Sequence, residues 1–160
     1  MSDKYYLIDT SILLELLDVP NMAKQPKEVR ASFVEKKQAG GKFCIPLATV
    51  IETGNHIAQN GDGKQRRERA QAFVKFVIQS FNEESPFIKL VFLTNEELQK
   101  WIHEFPDCAM RNDSKGKGMG IGDLSIIKDK IKLEKQFPKS DIIIWSADGH
   151  LDSYNIKGKS

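Results

Sequence analysis

Four carboxylates, Asp9, Glu52, Asp123 and Asp148, are set apart by where they fall relative to the apolar segments of the chain. Asp9 directly follows Tyr5-Tyr6-Leu7-Ile8, and Asp148 closes Ser146-Ala147-Asp148 after Ile142-Ile143-Ile144-Trp145. Asp123 comes right after Gly122 at a helix start, where the positive end of the helix dipole favours a carboxylate. Glu52 lies about two turns into the helix that follows Phe43-Cys44-Ile45, off its apolar face. Converging carboxylates repel, and some would have to protonate unless a cation lay between them. Oxygen-only donors suit a hard divalent ion, Mg²⁺ or Mn²⁺. A site of that kind activates water and stabilises charge on a phosphoryl group. Taken singly, each acid also has a structural explanation. Asp9 and Asp123 could cap helices, Asp148 could serve a turn before Gly149, and Glu52 could be an ordinary surface acid.

The elements that must position these acids read as short apolar strands alternating with amphipathic helices. Tyr5-Tyr6-Leu7-Ile8, Phe43-Cys44-Ile45, Ile88-Lys89-Leu90-Val91-Phe92-Leu93 and Ile142-Ile143-Ile144-Trp145 give four strands. Apolar runs without alternation suit strands covered on both faces of a parallel sheet. Helices are expected over residues 12–17, with Thr10 or Ser11 as cap, and over 27–38, stopped at Gly40-Gly41. The helix after Pro46 directs Val50, Ile51, Ile57 and Ala58 inward, and Asn60-Gly61-Asp62-Gly63 breaks it. The next has the clearest period: Ala70, Phe73, Val74, Val77, Ile78 and Phe81 read as one core-facing stripe. Leu98, Trp101, Ile102 and Phe105 mark another helix, residues 106–121 an exposed mobile loop, and Leu124, Ile127 and Ile131 the buried face of the last helix. The pattern predicts an α/β fold with a mainly parallel sheet, whose ligand crevice lies beyond the carboxyl ends of the strands.

Whole-chain features bound the possibilities. At 160 residues the chain suits one domain over 1–160. Cys44 and Cys108 are far apart and outside any C-x-x-C pattern, which predicts a reduced, cytoplasmic protein rather than a disulfide scaffold. No signal peptide and no membrane-spanning run is read, so no membrane partner is expected. A net charge of +2 is too weak to announce a nucleic-acid partner. Its distribution is more telling, since Lys64-Gln65-Arg66-Arg67-Glu68-Arg69 holds four cations in six residues, and Lys115 and Lys117 open a second concentration running to Lys139. Such clusters are usually solvated faces. Here Lys64, Arg66, Arg67, Lys115 and Lys117 are also candidate phosphate contacts, which position nucleic acid without reading its sequence.

Tyr6-Leu7-Ile8-Asp9-Thr10-Ser11, Ala48-Thr49-Val50-Ile51-Glu52, Gly122-Asp123-Leu124-Ser125-Ile126-Ile127 and Ile144-Trp145-Ser146-Ala147-Asp148 occur in this order and span nearly the whole chain. Together these segments resemble the PIN-domain nucleases. The resemblance implies a PIN-like three-layer α/β/α sandwich with a central sheet of four to five strands. It implies a metal-dependent endoribonuclease, and its toxin branch implies the toxin of a toxin–antitoxin pair. Asp9, Glu52, Asp123 and Asp148 take the family's acidic positions, and Thr10 or Ser11 the hydroxyl that steadies the first acid. On that footing Asp9 and Asp123 are the principal ligands of Mg²⁺ or Mn²⁺, and Asp148 a third, direct or through water. Glu52 holds or deprotonates the water that attacks an RNA phosphodiester in line. An antitoxin covering the acidic pocket and a homodimer are further implications. Two features depart from the family's pattern: the stretch 82–120 is longer than in the small toxins, and the chain after Asp152 is short and polar, leaving the usual last strand reduced or absent.

Other features bear less weight. His56, four residues after Glu52, shares its helix face; His150 and Asp152 form an Asp-x-His-x-Asp cluster with Asp148 that turn chemistry explains. Gly116, Gly118, Gly120 and Gly122 alternate with other residues but no Gly-Lys-Ser/Thr follows, so they form no P-loop. A haloacid-dehalogenase-type phosphatase needs a second acid where Ser11 stands, and a receiver domain needs an acidic pair at Asp9. The stronger rival is a catalytically inactive PIN-like module that binds RNA or protein.

Overall fold

The structure, a computed structural model, describes residues 2–113, 115–147, 151 and 153–155 of the chain. Strand β1 (Lys4–Ile8) is the centre of a parallel sheet ordered β2-β1-β3, with β2 (Lys42–Cys44) on one side and β3 (Asp141–Trp145) on the other. Alternate residues of each strand enter different cores. Tyr5 and Leu7 of β1 pack with Cys44, Ile142 and Ile144 on one face, while Tyr6 and Ile8 pack with Phe43, Ile143 and Trp145 on the other. Both faces of the sheet are therefore covered, as the unbroken apolar runs anticipate.

On the Tyr6 face lie α1 (Thr10–Leu16) and α2 (Pro26–Gln38), followed in the chain by α3 (Leu47–Gln59) and α4 (Gly63–Phe81). A capping box starts α4: the Asp62 carboxylate accepts from the Gln65 backbone N–H, and the Gln65 side chain accepts from the Asp62 N–H. On the Tyr5 face lie α5 (Asn95–Trp101), a short α6 (Phe105–Ala109) and α7 (Ile121–Gln136). Helix α7 is buried at Leu124, Ser125, Ile126, Ile127, Asp129, Lys130 and Leu133, more of its circumference than one stripe. Ile131, expected inside, is exposed.

Three strands are formed among the described residues, not four or five. The segment Ile88-Lys89-Leu90-Val91-Phe92-Leu93, expected as a strand, forms none; a single bridge, at Phe87 just before it, meets Phe43 of β2. There Phe43 donates to the Pro86 carbonyl at 2.9 Å, and Ile88 donates to the Phe43 carbonyl at 2.8 Å. Beyond Cys44 the chain leaves through Ile45-Pro46 into α3, and proline has no N–H to give, so the ladder has no partner to continue on.

The outer edge of β3 is closed by a side chain. Asn155, in a 3₁₀ turn (Ser153–Asn155), accepts from the Ile144 N–H at 2.8 Å and donates to the Ile144 carbonyl at 2.6 Å, satisfying both groups as a neighbouring strand would. Ile144 is fully buried, so losing both partners strands a donor and an acceptor. Asn155→Ala is expected to cost about 1–3 kcal/mol. By thermal denaturation that lowers the melting temperature by about 2–4 °C per kcal/mol for a chain of this size; an unchanged melting temperature would show the clamp to be idle.

Candidate metal centre at the carboxyl edge of the sheet

Asp9 stands where β1 ends and α1 begins, and its backbone N–H continues the sheet by donating to the Trp145 carbonyl at 3.0 Å. Its backbone occupies the cap position of α1, but its side chain makes no capping bond, which removes the cap explanation for this acid. The carboxylate is 4% exposed. Its Oδ2 accepts two hydroxyls at 2.8 Å, one from Ser11 and one from Ser146 just past β3. Ser11 in turn accepts from the Ala147 N–H at 3.0 Å, tying the end of β3 to the start of α1. Oδ1 makes no hydrogen bond among the described residues. One oxygen is thus held in place by two hydroxyls and the other is not. The sequence signal of Ser146 is its place two residues before Asp148, at a strand end.

Helix α1 begins at Thr10, so Thr10 and Ser11 lie within its first turn and do not cap it. Their hydroxyls serve the site instead. Thr10 donates to Glu52 Oε2 at 3.1 Å, joining the first acid's helix to the second acid. Glu52 is half-buried on α3, whose inward face is Thr49, Thr53 and Ile57; Ile51 and Ala58, expected inside, are exposed. Thr49 fixes the helix against the sheet by donating to the Ile8 carbonyl at 2.7 Å, one residue before Asp9.

The third acid approaches through a glycine. A Cβ on Gly122 would overlap Glu52 Oε1 and stand 3.1 Å from its carboxyl carbon. Hence the Glu52 carboxylate lies against the first turn of α7, in space that any larger residue would fill. Asp123, the next residue, is half-buried in that same turn, three residues past the helix cap at Gly120. The structure therefore joins Asp9, Thr10, Ser11, Glu52 and Ser146 by direct contacts, with Asp123 adjacent through Gly122. Asp148, His150 and Asp152 lie outside the described residues.

The donors are carboxylate oxygens, the kind a hard cation prefers. Among the described residues, no three carboxylate, imidazole or thiol groups gather closely enough to hold an ion.

Lys64, Arg66 and Arg67 are exposed in the first turns of α4. Lys64 lies 3.9 Å from Glu68, and Arg66 donates to the Gly61 carbonyl at 2.5 Å. Lys115 and Lys117 are exposed, and their backbone N–H groups both donate to Asp113 Oδ1 at 2.8 Å. The stretch expected as a free loop over 106–121 is anchored: most of α6 falls in it, Cys108 and Met119 are buried, and Met119 donates to the Cys108 carbonyl at 3.0 Å. Gly118 packs against the Ala109 carbonyl, where a Cβ would clash with backbone. On α7, Lys128 and Lys132 are engaged with Glu104 and Glu97 at 2.7 and 3.0 Å, so those two cations serve interhelical packing.

No family model, curated protein or solved structure matches the chain. No helix among the described residues is long and apolar enough to cross a membrane.

Proposed function

We propose that this protein is a divalent-metal-dependent endoribonuclease of PIN-like fold, acting at the carboxyl edge of its parallel sheet. The observation that carries the reading is the treatment of Asp9. A nearly buried carboxylate has one oxygen pinned by two hydroxyls from different elements while the other makes no hydrogen bond among the described residues, and a second carboxylate, Glu52, is steadied by the neighbouring Thr10. A buried carboxylate is costly and needs a partner, and preorganised supporting hydroxyls are what a ligand-binding acid requires.

Asp9 and Asp123, with Asp148 as a third donor, are the residues that would hold Mg²⁺ or Mn²⁺, which supplies charge neutralisation at the phosphoryl oxygens and acidifies water. The chain's own part is to orient and to move a proton. Ser11 and Ser146 fix the Asp9 carboxylate, and Thr10 holds Glu52 Oε2. Glu52 takes the proton of the attacking water as general base. Lys64, Arg66, Arg67, Lys115 and Lys117 contribute sequence-independent phosphate contacts, so binding weakens steeply with salt. A toxin role, with an antitoxin over the acidic edge, belongs to the same reading.

The test is a cleavage assay on single-stranded and hairpin RNA with Mn²⁺, with Mg²⁺ and with a chelator. Cleavage that appears with either ion and disappears with the chelator supports the proposal. RNA left intact by the folded protein under every ion condition would refute it.

A further inference from the structure

A small residue among exposed cations shapes the outward face of α4. At about 100° per residue, Lys64, Arg67, Gln71, Val74 and Lys75 point the same way, with Ala70 at the margin that turns toward the core. Ala70 lies about one turn from both Arg67 and Val74, and its short side chain leaves a shallow depression of about 400 Å³ lined by Arg67, Ala70, Gln71 and Val74. Val74 is 55% exposed, and among the described residues the Arg67 and Gln71 side chains make no hydrogen bond or ion pair. The acid on this side of the helix, Glu68, lies 3.9 Å from Lys64, so the face around the depression is net positive. The depression is also one helix away from Glu52. The Phe73 ring stands 3.8 Å from where a Gly54 Cβ would sit, so Val74 is level with α3 just past Glu52. Packed helices lie about 8–10 Å apart axis to axis, and α4 rises about 10 Å from Arg67 to Val74. A single RNA strand whose phosphate lies at Glu52 reaches this hollow within a few nucleotides.

We propose that this depression takes one unstacked base of the RNA substrate, a few nucleotides from the bond that is cut. The inference rests on RNA being the substrate of the acidic edge. Each lining group matches one part of a nucleotide. Ala70 and Val74 offer an apolar surface to the face of the base. The Gln71 amide, both donor and acceptor, reads its edge. The Arg67 guanidinium takes the adjoining phosphate, the geometry it suits best. A base paired and stacked in a duplex cannot present its face in this way, so the hollow selects an unpaired segment. Gln71 and Val74 thereby become specificity determinants, added to cations that hold phosphate without reading sequence. An acidic peptide would satisfy Arg67 and the flanking lysines but leave the apolar hollow and the Gln71 amide unused.

Fluorescence anisotropy of a short labelled single-stranded RNA, in chelator so that no metal-dependent cleavage runs, tests this. Ala70→Leu fills the hollow and keeps every cation; it is expected to weaken binding about tenfold with the salt dependence unchanged. Val74→Ser, on the exposed surface, should weaken it severalfold. Arg67→Gln should instead lower the slope against salt by about one. The same strand made abasic should bind more weakly and be indifferent to Ala70→Leu. The proposal is overturned if Ala70→Leu and Val74→Ser, both native by circular dichroism, bind the intact strand as the unaltered protein does. It is overturned equally if the abasic strand or a poly-glutamate peptide competes as well as the intact strand, which would make the surface electrostatic only. Free adenosine monophosphate binding as tightly as the strand would assign the hollow to a small nucleotide and overturn it too. Because binding is read without cleavage, the two readings fail separately. A protein that cuts no RNA yet loses binding in Ala70→Leu keeps this subsite and loses only the nuclease assignment.

Discussion

Asparagine at position 9 is expected to abolish metal-dependent RNA cleavage, a loss of at least about a thousandfold, or ~4 kcal/mol of transition-state stabilisation, while the protein melts close to its usual temperature. The two effects separate because of how Asp9 is held. Ser11 and Ser146 both donate to Oδ2, and hydroxyls can rotate to accept from an amide placed in the same position. The packing therefore survives the substitution while the negative charge at Oδ1 does not. Gly122→Ala reaches the same site by another route. Its methyl would displace the Glu52 carboxylate, the flexible end of a side chain, so the backbone of α7 need not move. Cleavage is then expected to fall by roughly a hundredfold or more, since general-base catalysis contributes about 10²–10⁴-fold. Activity that persists in both Asp9→Asn and Asp123→Asn would remove these acids from the reaction altogether.

Much of this site was legible in the sequence because its positions follow from strand ends. Tyr5-Tyr6-Leu7-Ile8 and Ile142-Ile143-Ile144-Trp145 are apolar on both faces, and such runs have few alternatives to a buried parallel strand. Their register then delivers Asp9 and Ser146 to the same edge. What escaped was partner-dependent. The run from Ile88 is as apolar as the others, but a strand needs a neighbour of matching length, and β2 is cut short by Pro46. On α3, Thr49 and Thr53 read as polar yet occupy the inward face; the Thr49 hydroxyl is satisfied by the Ile8 carbonyl, which leaves its methyl to pack, whereas the buried Thr53 hydroxyl has no partner among the described residues. That rotation of the helix turns Ile51 outward and brings Glu52 to Thr10. On α4 the period identifies a stripe, but a stripe wider than the covering surface leaves one flank outside, and spacing alone cannot say which. Ser146 has no distinguishing neighbours of its own; only the closeness of the two strand ends gives it a role.

The largest expected effect on stability comes from an acid that the site does not use. Asp129 on α7 is 5% exposed, within electrostatic reach of Glu97 on α5 and Cys44 on β2. Burial pushes its carboxyl from 3.8 up to about 7. Lys132 opposes that rise, but it is shared: its ammonium lies 3.0 Å from Glu97, whose own charge pushes Asp129 further up. The Cys44 thiol, wholly buried, is pushed far above its ordinary range by its burial and then by the charge of Asp129. The sign follows from proton counting. Between about pH 4 and 7 the folded state holds a proton on Asp129 that the unfolded state has released, so this group's contribution to stability falls as pH rises through that window. Above it the folded protein carries a buried carboxylate at full cost. A three-unit shift corresponds to about 4 kcal/mol. Asp129→Asn keeps the shape and abolishes the titration. Its melting temperature should match the wild type near pH 4 and exceed it at pH 8, by about 2–4 °C for each kcal/mol recovered. The informative quantity is the difference between variant and wild type at each pH, since exposed carboxylates impose an opposite slope common to both. Parallel melting curves from pH 4 to 8 would mean that Asp129 is ionised in the folded protein throughout, held by Lys132 more strongly than its burial opposes.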